Sequence, residues 1–321
     1  MTESELHIEF QEQLYNDIDI SDEYWNHQPL LAHYTTVETV EKVFRNREVW
    51  LSNPLFMNDY EEVRFGVNTG CQIAYEMAGS AFRAEKDRVK LQEALSYEYT
   101  SYSTEKALDL YVMCFSEHDR SDRDGRLSMW RGYGQNGRGA AIVFDTSKIT
   151  PINPNPLAIA KVKYGSGNSR EKWLRQRIES VYHWLSQRTV DEQDIAKVAR
   201  AIFTRILVFA VFTKHSGFAE EREWRLAYFQ DRDPRGILSP LFGYHFGHRG
   251  IEPKLKLRLE PIPGVLEKGF DIENLVHSII LGPTMASPQT AMSVGRMLDK
   301  IGMSELRNSL YSSSIPFRDQ F

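Results

Sequence analysis

One stretch decides the fold that we predict, and it reads Phe218-Ala219-Glu220-Glu221-Arg222-Glu223-Trp224-Arg225-Leu226-Ala227-Tyr228. An extended strand sends successive side chains to opposite faces. Most of its apolar side chains then share one face with Arg222, while Glu221, Glu223 and Arg225 share the other. The pattern predicts a strand with one face on a core. Its charged face is either solvated, with Glu223 and Arg225 paired, or it forms the floor of a cleft.

The composition indicates a soluble globular protein in a reducing compartment. The 321 residues are 41% hydrophobic and 26% charged, which is typical of globular domains. The 15 Tyr, 17 Phe and 6 Trp residues favour a firmly packed core. Cys71 and Cys114 provide neither a disulfide framework nor metal-ligand spacing. We therefore expect a cytoplasmic protein.

Nothing in the hydropathy favours a membrane. The most apolar run, residues 206–212, is far shorter than the roughly 20 residues that span a bilayer. The N-terminus is acidic and lacks the apolar core of a secretory signal. We expect no membrane partner.

Charge is unevenly distributed along the chain. The net charge is −5, but residues 1–62 hold 14 acids against 3 Lys or Arg, so the remaining residues carry a net +6. An acidic N-terminal segment, residues 1–28, then precedes a mildly basic body. Such a segment is a place for a partner protein or an intramolecular cover. The basic body leaves nucleic acid open as a partner.

Periodicity and turn residues predict alternating helices and strands. Strands are expected at residues 30–36, 48–52, 110–116, 140–144, 158–164, 218–228, 254–260 and 277–283, and near 315. Helices are expected at residues 4–15 and 37–44, over much of 59–111, and at 170–188, 191–212 and 287–301. Polar or glycine-rich loops are expected at residues 117–127 and 231–252. Capping boxes are expected at Thr35 with Glu38, and at Asn58 and Asp59 with Glu61.

This order predicts an α+β protein. Residues 29–321 are expected to form a single domain with a helical insertion at about residues 170–212. A separable second domain at residues 165–215 is the alternative.

Several motifs of common enzymes are absent from the chain. GxxxxGK[ST], HExxH and GxSxG do not occur. A GxGxxG pattern at residues 132–137 precedes a predicted strand instead of following one, so we interpret it as a turn and not as a dinucleotide site. No three ligands have metal-site spacing, and no metal is expected.

Individual polar and aromatic residues next to predicted strands are the candidates for a site. His33 ends a strand just before a helix, where backbone amides favour anions. Ser116 ends another strand, and its hydroxyl can donate or accept a hydrogen bond. Tyr34, Trp130 and Tyr133 are rings for stacking. Each also has a structural interpretation, as a capping, turn or core residue.

The order of these segments resembles the bacterial domain-of-unknown-function 2971 (DUF2971) family. The resemblance rests on His33-Tyr34-Thr35, Trp50-Leu51-Ser52-Asn53-Pro54, Asn58-Asp59-x-Glu61, Cys114-Phe115-Ser116, Met129-Trp130, Tyr133 to Gly139, Val162-x-Tyr164, Glu221-x-Glu223-Trp224-Arg225 and Ile280-Leu281-Gly282-Pro283. The chain departs from that family at Arg131-Gly132, where a small polar residue and His are usual.

The layout also resembles the ADP-ribosyltransferases, whose split sheet holds NAD through three motifs. The resemblance implies a central split antiparallel or mixed sheet with helical insertions. It matches His33 to the first motif, Ser116 or Tyr133 to the second, and Glu223 to the third. NAD is then the expected substrate.

The resemblance also implies roles for these residues. Cleavage between nicotinamide and ribose passes through an oxocarbenium-like centre, which the carboxylate of Glu223 would stabilise. Glu221 would polarise the nucleophile, since neighbouring carboxylates raise one another's pKa. His33 would anchor a ribose.

Other implied contacts concern the remainder of NAD. Tyr34 or Tyr133 would stack on nicotinamide, with Trp130 as a further wall. Arg131, Arg138 or Arg225 would meet the pyrophosphate.

We expect an NAD-consuming ADP-ribosyltransferase or NAD glycohydrolase, of the kind found among bacterial toxins and anti-phage effectors. Its acceptor, protein or nucleic acid, is left open. One alternative is a non-catalytic binding or regulatory module, in which Glu221, Glu223 and Arg225 form an ion-paired face. Another is a metal-independent nuclease or hydrolase that uses His33 and Glu223.

Overall fold

The structure is a computed structural model, which describes residues 3–17, 27–58, 60–150, 152, 155–247, 250–266 and 270–317. The helices are α1 (Glu3–Tyr15), α2 (Val37–Asn46), α3 (Tyr60–Met77), α4 (Glu85–Thr104), α5 (Leu127–Gly132), α6 (Gly167–Ser186), α7 (Ile195–Phe212), α8 (Ile272–Leu275) and α9 (Pro288–Lys300). The strands are β1 (Leu30–Thr35), β2 (Glu48–Ser52), β3 (Leu110–His118), β4 (Ala140–Asp145), β5 (Leu157–Lys161), β6 (Lys163–Gly165), β7 (Thr213–His215), β8 (Glu223–Phe229), β9 (Phe242–Gly247), β10 (Gly250–Arg258), β11 (Val276–Leu281) and β12 (Leu310–Ser312).

The described residues form two compact units. The helical unit contains α1, residues 53–110 and residues 162–218. The sheet unit contains the described residues of 27–52, 111–161 and 219–317. The predicted division into an acidic segment and a single domain stays a prediction, and residues 18–26 of that segment lie outside the described residues.

The sheet unit is built on ten of the described strands. Eight follow the order β12-β11-β4-β1-β3-β2-β10-β9, and β8 pairs with both β3 and β5. In this sheet β11 and β12 pair in parallel, while the pairs β1–β3, β1–β4, β2–β3, β2–β10, β4–β11, β5–β8 and β9–β10 are antiparallel. The sheet is not closed into a barrel. The predicted α+β class with a large mixed sheet is therefore confirmed, while its likeness to ADP-ribosyltransferases stays a prediction.

Strand alternation explains how the sheet unit buries both faces. Leu31 of β1 packs with Phe115 and Trp224 in the larger core cluster. Ala32 and Tyr34 pack on the opposite face with Trp130. Because successive residues of a strand point to opposite faces, β1 contributes to both clusters. These two faces are the reference for the placement of the site residues.

The helical unit packs α3, α6 and α7 closely around their own core. Apolar residues of α6 and α7, including Leu174, Ile178 and Ile206, are buried together. A Cβ added at Gly70 of α3 would lie 2.5 Å from Ile206, so glycine is required for this close approach. None of the described helices is long and apolar enough to cross a membrane.

The predicted strand over residues 218–228 is correct only in its second half. Residues Ser216–Glu221 form a 3-10 helix, and β8 begins at Glu223. Arg222 between them has a φ of 44°, in the left-handed region. Glu117 N–H donates to the carbonyl of Arg222 (2.9 Å), so a contact with β3 fixes the turn. The alternation predicted that Glu221 belongs to the strand. Glu221 instead lies in the 3-10 helix before it.

Other predicted boundaries need smaller corrections. The cap of α2 is Thr36, which accepts from Thr39 N–H, and not Thr35. The predicted loop at residues 231–252 contains β9, and the loop at 117–127 loses its first residues to β3 and its last to α5. Ser287 caps α9 as expected. Asp59 lies outside the described residues.

Candidate functional site

His33 lies where strands β1 and β3 stop pairing. Their ladder covers three pairs and ends at Ala32↔Ser116. The ring nitrogen Nδ1 of His33 is 2.9 Å from the carbonyl oxygen of Cys114, so Nδ1 carries the proton and donates to it. Burial lowers the pKa of His33, and this outweighs the raising effect of the Cys114 hydrogen bond. The imidazole is neutral near pH 7 and replaces a missing backbone contact.

Ser116, Glu221 and Tyr133 form one hydrogen-bonded chain, although they are far apart in sequence. The Ser116 hydroxyl donates to the backbone carbonyl of Glu221 at 2.6 Å. The Tyr133 hydroxyl donates to the side-chain Oε1 of Glu221 at 3.1 Å. Ser116 is buried, Glu221 is half-buried, and Tyr133 is 36% exposed. The chain therefore leads from the sheet interior to a carboxylate and an aromatic ring at the surface.

Glu117 is the centre of a second polar cluster beside this chain. Its carboxylate accepts from Trp224 Nε1 (3.1 Å) and pairs with Lys161 (2.9 Å) and with Arg222. Burial by itself raises the pKa of Glu117, but hydrogen bonds from Lys161 and Trp224 and the charges of Lys161 and Arg222 outweigh it and lower the pKa to about 2. Glu117 is ionised at every physiological pH and holds β3, β5 and β8 together.

Arg222 is held in a strained backbone conformation by the same cluster. A non-glycine residue with a positive φ is uncommon, and such strain concentrates at functional sites. The guanidinium of Arg222 pairs with Glu117 and with Asp119 at 3.4 Å. The strained residue separates the two glutamates of the Glu-x-Glu motif, so it decides where each carboxylate lies.

Glu223 and Arg225 form a buried ion pair. Arg225 Nε donates to Glu223 Oε1 at 2.7 Å, and a terminal nitrogen of Arg225 donates to Oε2 at 3.1 Å. The residues are 3% and 1% exposed, respectively. The pairing predicted for the structural alternative is present, but the face is buried and not solvated. A carboxylate engaged through both oxygens is poorly placed to meet a substrate.

Tyr34 and Trp130 are packed against each other inside the sheet unit. Their rings meet edge to face with centroids 4.7 Å apart. The Tyr34 hydroxyl accepts from Arg126 N–H, and Trp130 Nε1 donates to the Asp124 carbonyl. Burial is the main cause that raises the pKa of Tyr34 to about 12. These two rings support the core, and we assign them no ligand.

The predicted arginines have different environments. Arg131 and Arg138 are exposed. The guanidinium of Arg131 lies 5.5 Å from the ring centre of Phe317. Arg225 is buried and forms an ion pair with Glu223. Arg131 is exposed and lies two residues before Tyr133 in the sequence. It is therefore the predicted cation that we place beside the hydrogen-bonded chain of Ser116, Glu221 and Tyr133.

The structure brings together only some of the predicted site residues. His33 shares a face of β1 with Leu31 of the larger core cluster, and its ring lies 6.0 Å from that of Phe115. Glu223 alternates with Trp224 of the same cluster, so Glu223 lies on the opposite face of the sheet. The predicted convergence of His33 with Glu223 is therefore not seen. Ser116, Tyr133 and Glu221 are the predicted residues that meet.

Sequence reasoning missed Glu117, Lys161 and Arg222 as site residues. Glu117 follows Ser116 in an otherwise apolar strand, and Lys161 ends β5. A charged residue within a buried strand is a signal for a partner. The identity of the partners depends on pairing between distant segments, since Arg222 lies 105 residues after Glu117, and the local sequence does not contain this information.

Among the residues for which the structure gives positions, no group of three His, Cys, Asp or Glu is arranged to hold a metal ion.

Fold and site together define an α+β protein with a carboxylate–tyrosine pair beside the β3–β8 junction. Residues 129–226 match the model of a family described as a protein of unknown function, DUF2971. This confirms the predicted resemblance to that family, over a range that includes Tyr133, Glu221 and Glu223. The comparison with curated proteins found no match, and neither did the comparison with solved structures.

Proposed function

We propose that the protein is an NAD-consuming enzyme of the ADP-ribosyltransferase type, and that Glu221, not Glu223, is the carboxylate that acts on the substrate. The observation that carries the proposal is the hydrogen-bonded chain of Ser116, Glu221 and Tyr133. Three residues from separate segments, expected from the sequence to share one site, are in contact. Because the carboxylate of Glu223 is paired with Arg225, we assign the catalytic role to Glu221 instead of Glu223.

In the proposed reaction the bond between nicotinamide and ribose breaks, and nicotinamide leaves with the bonding electron pair. The positive charge that develops on the ribose would be stabilised by the carboxylate of Glu221. The nucleophile, water or an acceptor group, forms the new bond to the same carbon and releases its proton to solvent. A fixed carboxylate performs this role better than a mobile one, and Tyr133 holds Glu221 in place.

Neighbouring residues have supporting roles in the proposal. The exposed ring of Tyr133 offers a surface on which nicotinamide can stack. Arg131 provides an exposed positive charge for the pyrophosphate. Ser116 fixes the backbone of Glu221. His33, on the other sheet face, fixes the β1–β3 junction and does not touch the substrate.

The test is NAD turnover by the purified protein. Incubation with NAD should release nicotinamide, measured by chromatography, and mass spectrometry of the protein, of added proteins and of added nucleic acids should reveal any transferred group. Glu221→Gln should abolish the release while the protein stays folded, with a Tm close to that of the wild type. Glu220→Gln, which changes an exposed neighbour, is the matched control and should retain full turnover.

Two results would contradict the proposal. One is intact NAD after prolonged incubation of the wild type with each class of acceptor. The other is full turnover by Glu221→Gln. If the protein is also a toxin or anti-phage effector, its expression in bacteria should arrest growth, and Glu221→Gln should relieve the arrest.

A non-catalytic binding module is the second candidate, and the buried Glu223–Arg225 pair favours it. Under this proposal the Glu-x-Glu motif serves the stability of β8, and NAD is neither bound nor consumed. Isothermal titration with NAD distinguishes the two candidates, because an enzyme that consumes NAD must bind it.

A further inference from the structure

Strand β9 is an exposed edge of the large sheet. It is the last strand in the order of the sheet, and within the part of the chain that the structure describes it pairs with β10 alone. Phe242, Tyr244 and Phe246 alternate along it and are 36%, 60% and 75% exposed. Ile251 lies opposite Phe246 on β10 and is 59% exposed. The edge therefore combines unpaired backbone groups with an aromatic strip.

This strip continues the buried core toward solvent. The ring of Phe242 lies 5.2 Å from that of Tyr111 and 5.5 Å from that of Tyr228, which both belong to the larger core cluster. Tyr244 and Phe246 point to the same face, by alternation. An apolar strip that joins a core and remains uncovered typically marks an interaction surface.

The edge lacks the usual protection against pairing with another strand. Monomeric proteins blunt exposed edges with lysines, prolines or charged residues that point inward. Residues 242–247 contain no Lys, Arg, Asp, Glu or Pro, and His245 is their one basic side chain. A neutral strand of this kind can pair with its own copy without charge repulsion.

The aromatic strip does not have the chemistry of a nucleic-acid surface. Its neighbours on β10 are Ile251, Pro253 and Leu255, which lie opposite Phe246, Tyr244 and Phe242. Lys254 points to the other face, where it bonds with Ser52 and Glu252. Lys256 also lies on that face, 4.7 Å from the ring centre of Trp50. A surface for nucleic acid needs cations beside its rings, and this one has apolar groups.

We propose that β9 pairs antiparallel with β9 of a second copy of this chain, extending the sheet across a twofold axis. An axis perpendicular to the sheet keeps the two aromatic strips on the same side. With the axis at Tyr244, Phe242 of one protomer lies opposite Phe246 of the partner subunit. The backbone groups of the edge are then paired, and the two aromatic strips lie side by side as cross-strand pairs.

The experiment measures the mass of the full chain in solution. Light scattering coupled to size exclusion, over a range of concentrations, should give twice the chain mass of 37.2 kDa. Phe246→Lys should shift the mass to that of a monomer, because each substituted side chain places a charge against Phe242 of the partner subunit. Tyr97→Lys, which changes a residue on α4 that is 67% exposed, is the matched control and should remain dimeric.

A second variant tests the geometry directly. Tyr244→Cys should form a disulfide-linked dimer on mild oxidation, because the twofold axis places the two substituted residues opposite each other. Tyr97→Cys should not. A wild type that is monomeric at all concentrations overturns the proposal, as does a dimer that survives Phe246→Lys in a folded protein. A monomer that loses RNA or DNA binding on Phe246→Lys would assign this face to nucleic acid instead.

Discussion

Glu221 and Glu223 are two residues apart in one motif, yet the structure gives them different environments. Glu223 is buried and paired with Arg225 through both oxygens. Glu221 is half-buried and accepts a hydrogen bond from the hydroxyl of Tyr133. A buried pair is a structural element that is costly to break. The comparison shows that the accessible carboxylate, not the one in the strand, has the environment of a functional group.

The cause of the difference is the backbone at Arg222. In a continuous strand both carboxylates would point to the same face. The left-handed conformation of Arg222 ends the 3-10 helix and turns Glu221 away from the strand. Contacts with Glu117 hold this conformation. Substitutions at these positions therefore test the comparison, and their effects should differ in size.

The largest effect is expected for Glu223→Gln. Loss of the charge removes the ion pair between Glu223 and the buried guanidinium of Arg225, and removing one partner of a buried pair costs about 3–5 kcal/mol in comparable proteins. The free energy of unfolding, from denaturant titration, should fall by about this amount. Glu220→Gln is the control and should change it by less than about 0.5 kcal/mol. A fully stable Glu223→Gln would show that the pair contributes nothing.

Glu117→Gln should have the next largest effect. It weakens charge-assisted bonds to Lys161, Trp224 and Arg222, which together we expect to contribute about 1–3 kcal/mol. The folded-state pKa of about 2 lies below the ordinary value of 4.5, so this stabilisation is present above pH 4.5 and is lost as the pH falls towards 2. Acid titration of stability should show a steeper loss in the wild type than in Glu117→Gln. Equal slopes would contradict the assignment.

A smaller, pH-dependent effect is expected for His33→Gln. Burial lowers the pKa of His33 below 6.5, so the unfolded chain binds the proton more readily. Stability is then complete above about pH 6.5 and falls as the pH drops through that value. Gln can still donate to the Cys114 carbonyl but does not titrate.

The difference in unfolding free energy between wild type and His33→Gln, measured at several pH values, isolates the contribution of His33 protonation. His277 has a pKa shifted in the same direction, mainly by burial, and it is unchanged in both proteins. Denaturant titrations at several pH values should show that the wild type loses more stability below pH 6.5 than His33→Gln. An identical pH dependence would mean that His33 titrates normally.

The smallest effect on stability is expected for Glu221→Gln. Its carboxylate is half-buried, and a single hydrogen bond of this kind contributes about 0.5–1.5 kcal/mol at most. We expect a change near the lower limit, because Gln still accepts from Tyr133. Thermal unfolding measures it, with Glu220→Gln as reference. A loss as large as that of Glu223→Gln would remove the contrast between the two glutamates.

Much of the fold was predictable because it depends on local patterns. Apolar alternation identified Trp224 and Tyr228 as core residues of β8. Ser287 marked the start of α9, and the helices of the insertion were found close to their observed bounds. Strand β9 was missed because its glycines and exposed aromatics have the composition of a loop, and only its pairing with β10 makes it a strand.

The site was predictable in its residues but not in its arrangement. Ser116, Tyr133 and Glu221 were candidates from the sequence, and the structure places them in contact. His33 and Glu223 were expected to join them, and they lie on opposite faces of the sheet. The register between β1, β3 and β8 decides these faces, and register depends on pairing between distant segments.

The sequence by itself determined the α+β class, the strand with Trp224 and Tyr228 in its core face, and the residue types of the site. These follow from periodicity and composition, which are local properties. Only the tertiary structure decided which glutamate is accessible. The conformation of Arg222 depends on its hydrogen bonds with Glu117, 105 residues earlier in the chain: the Glu117 N–H donates to the Arg222 carbonyl, and the Arg222 guanidinium donates to the Glu117 carboxylate. A contact of that range, and not the alternation of residues 218–228, separates the two carboxylates.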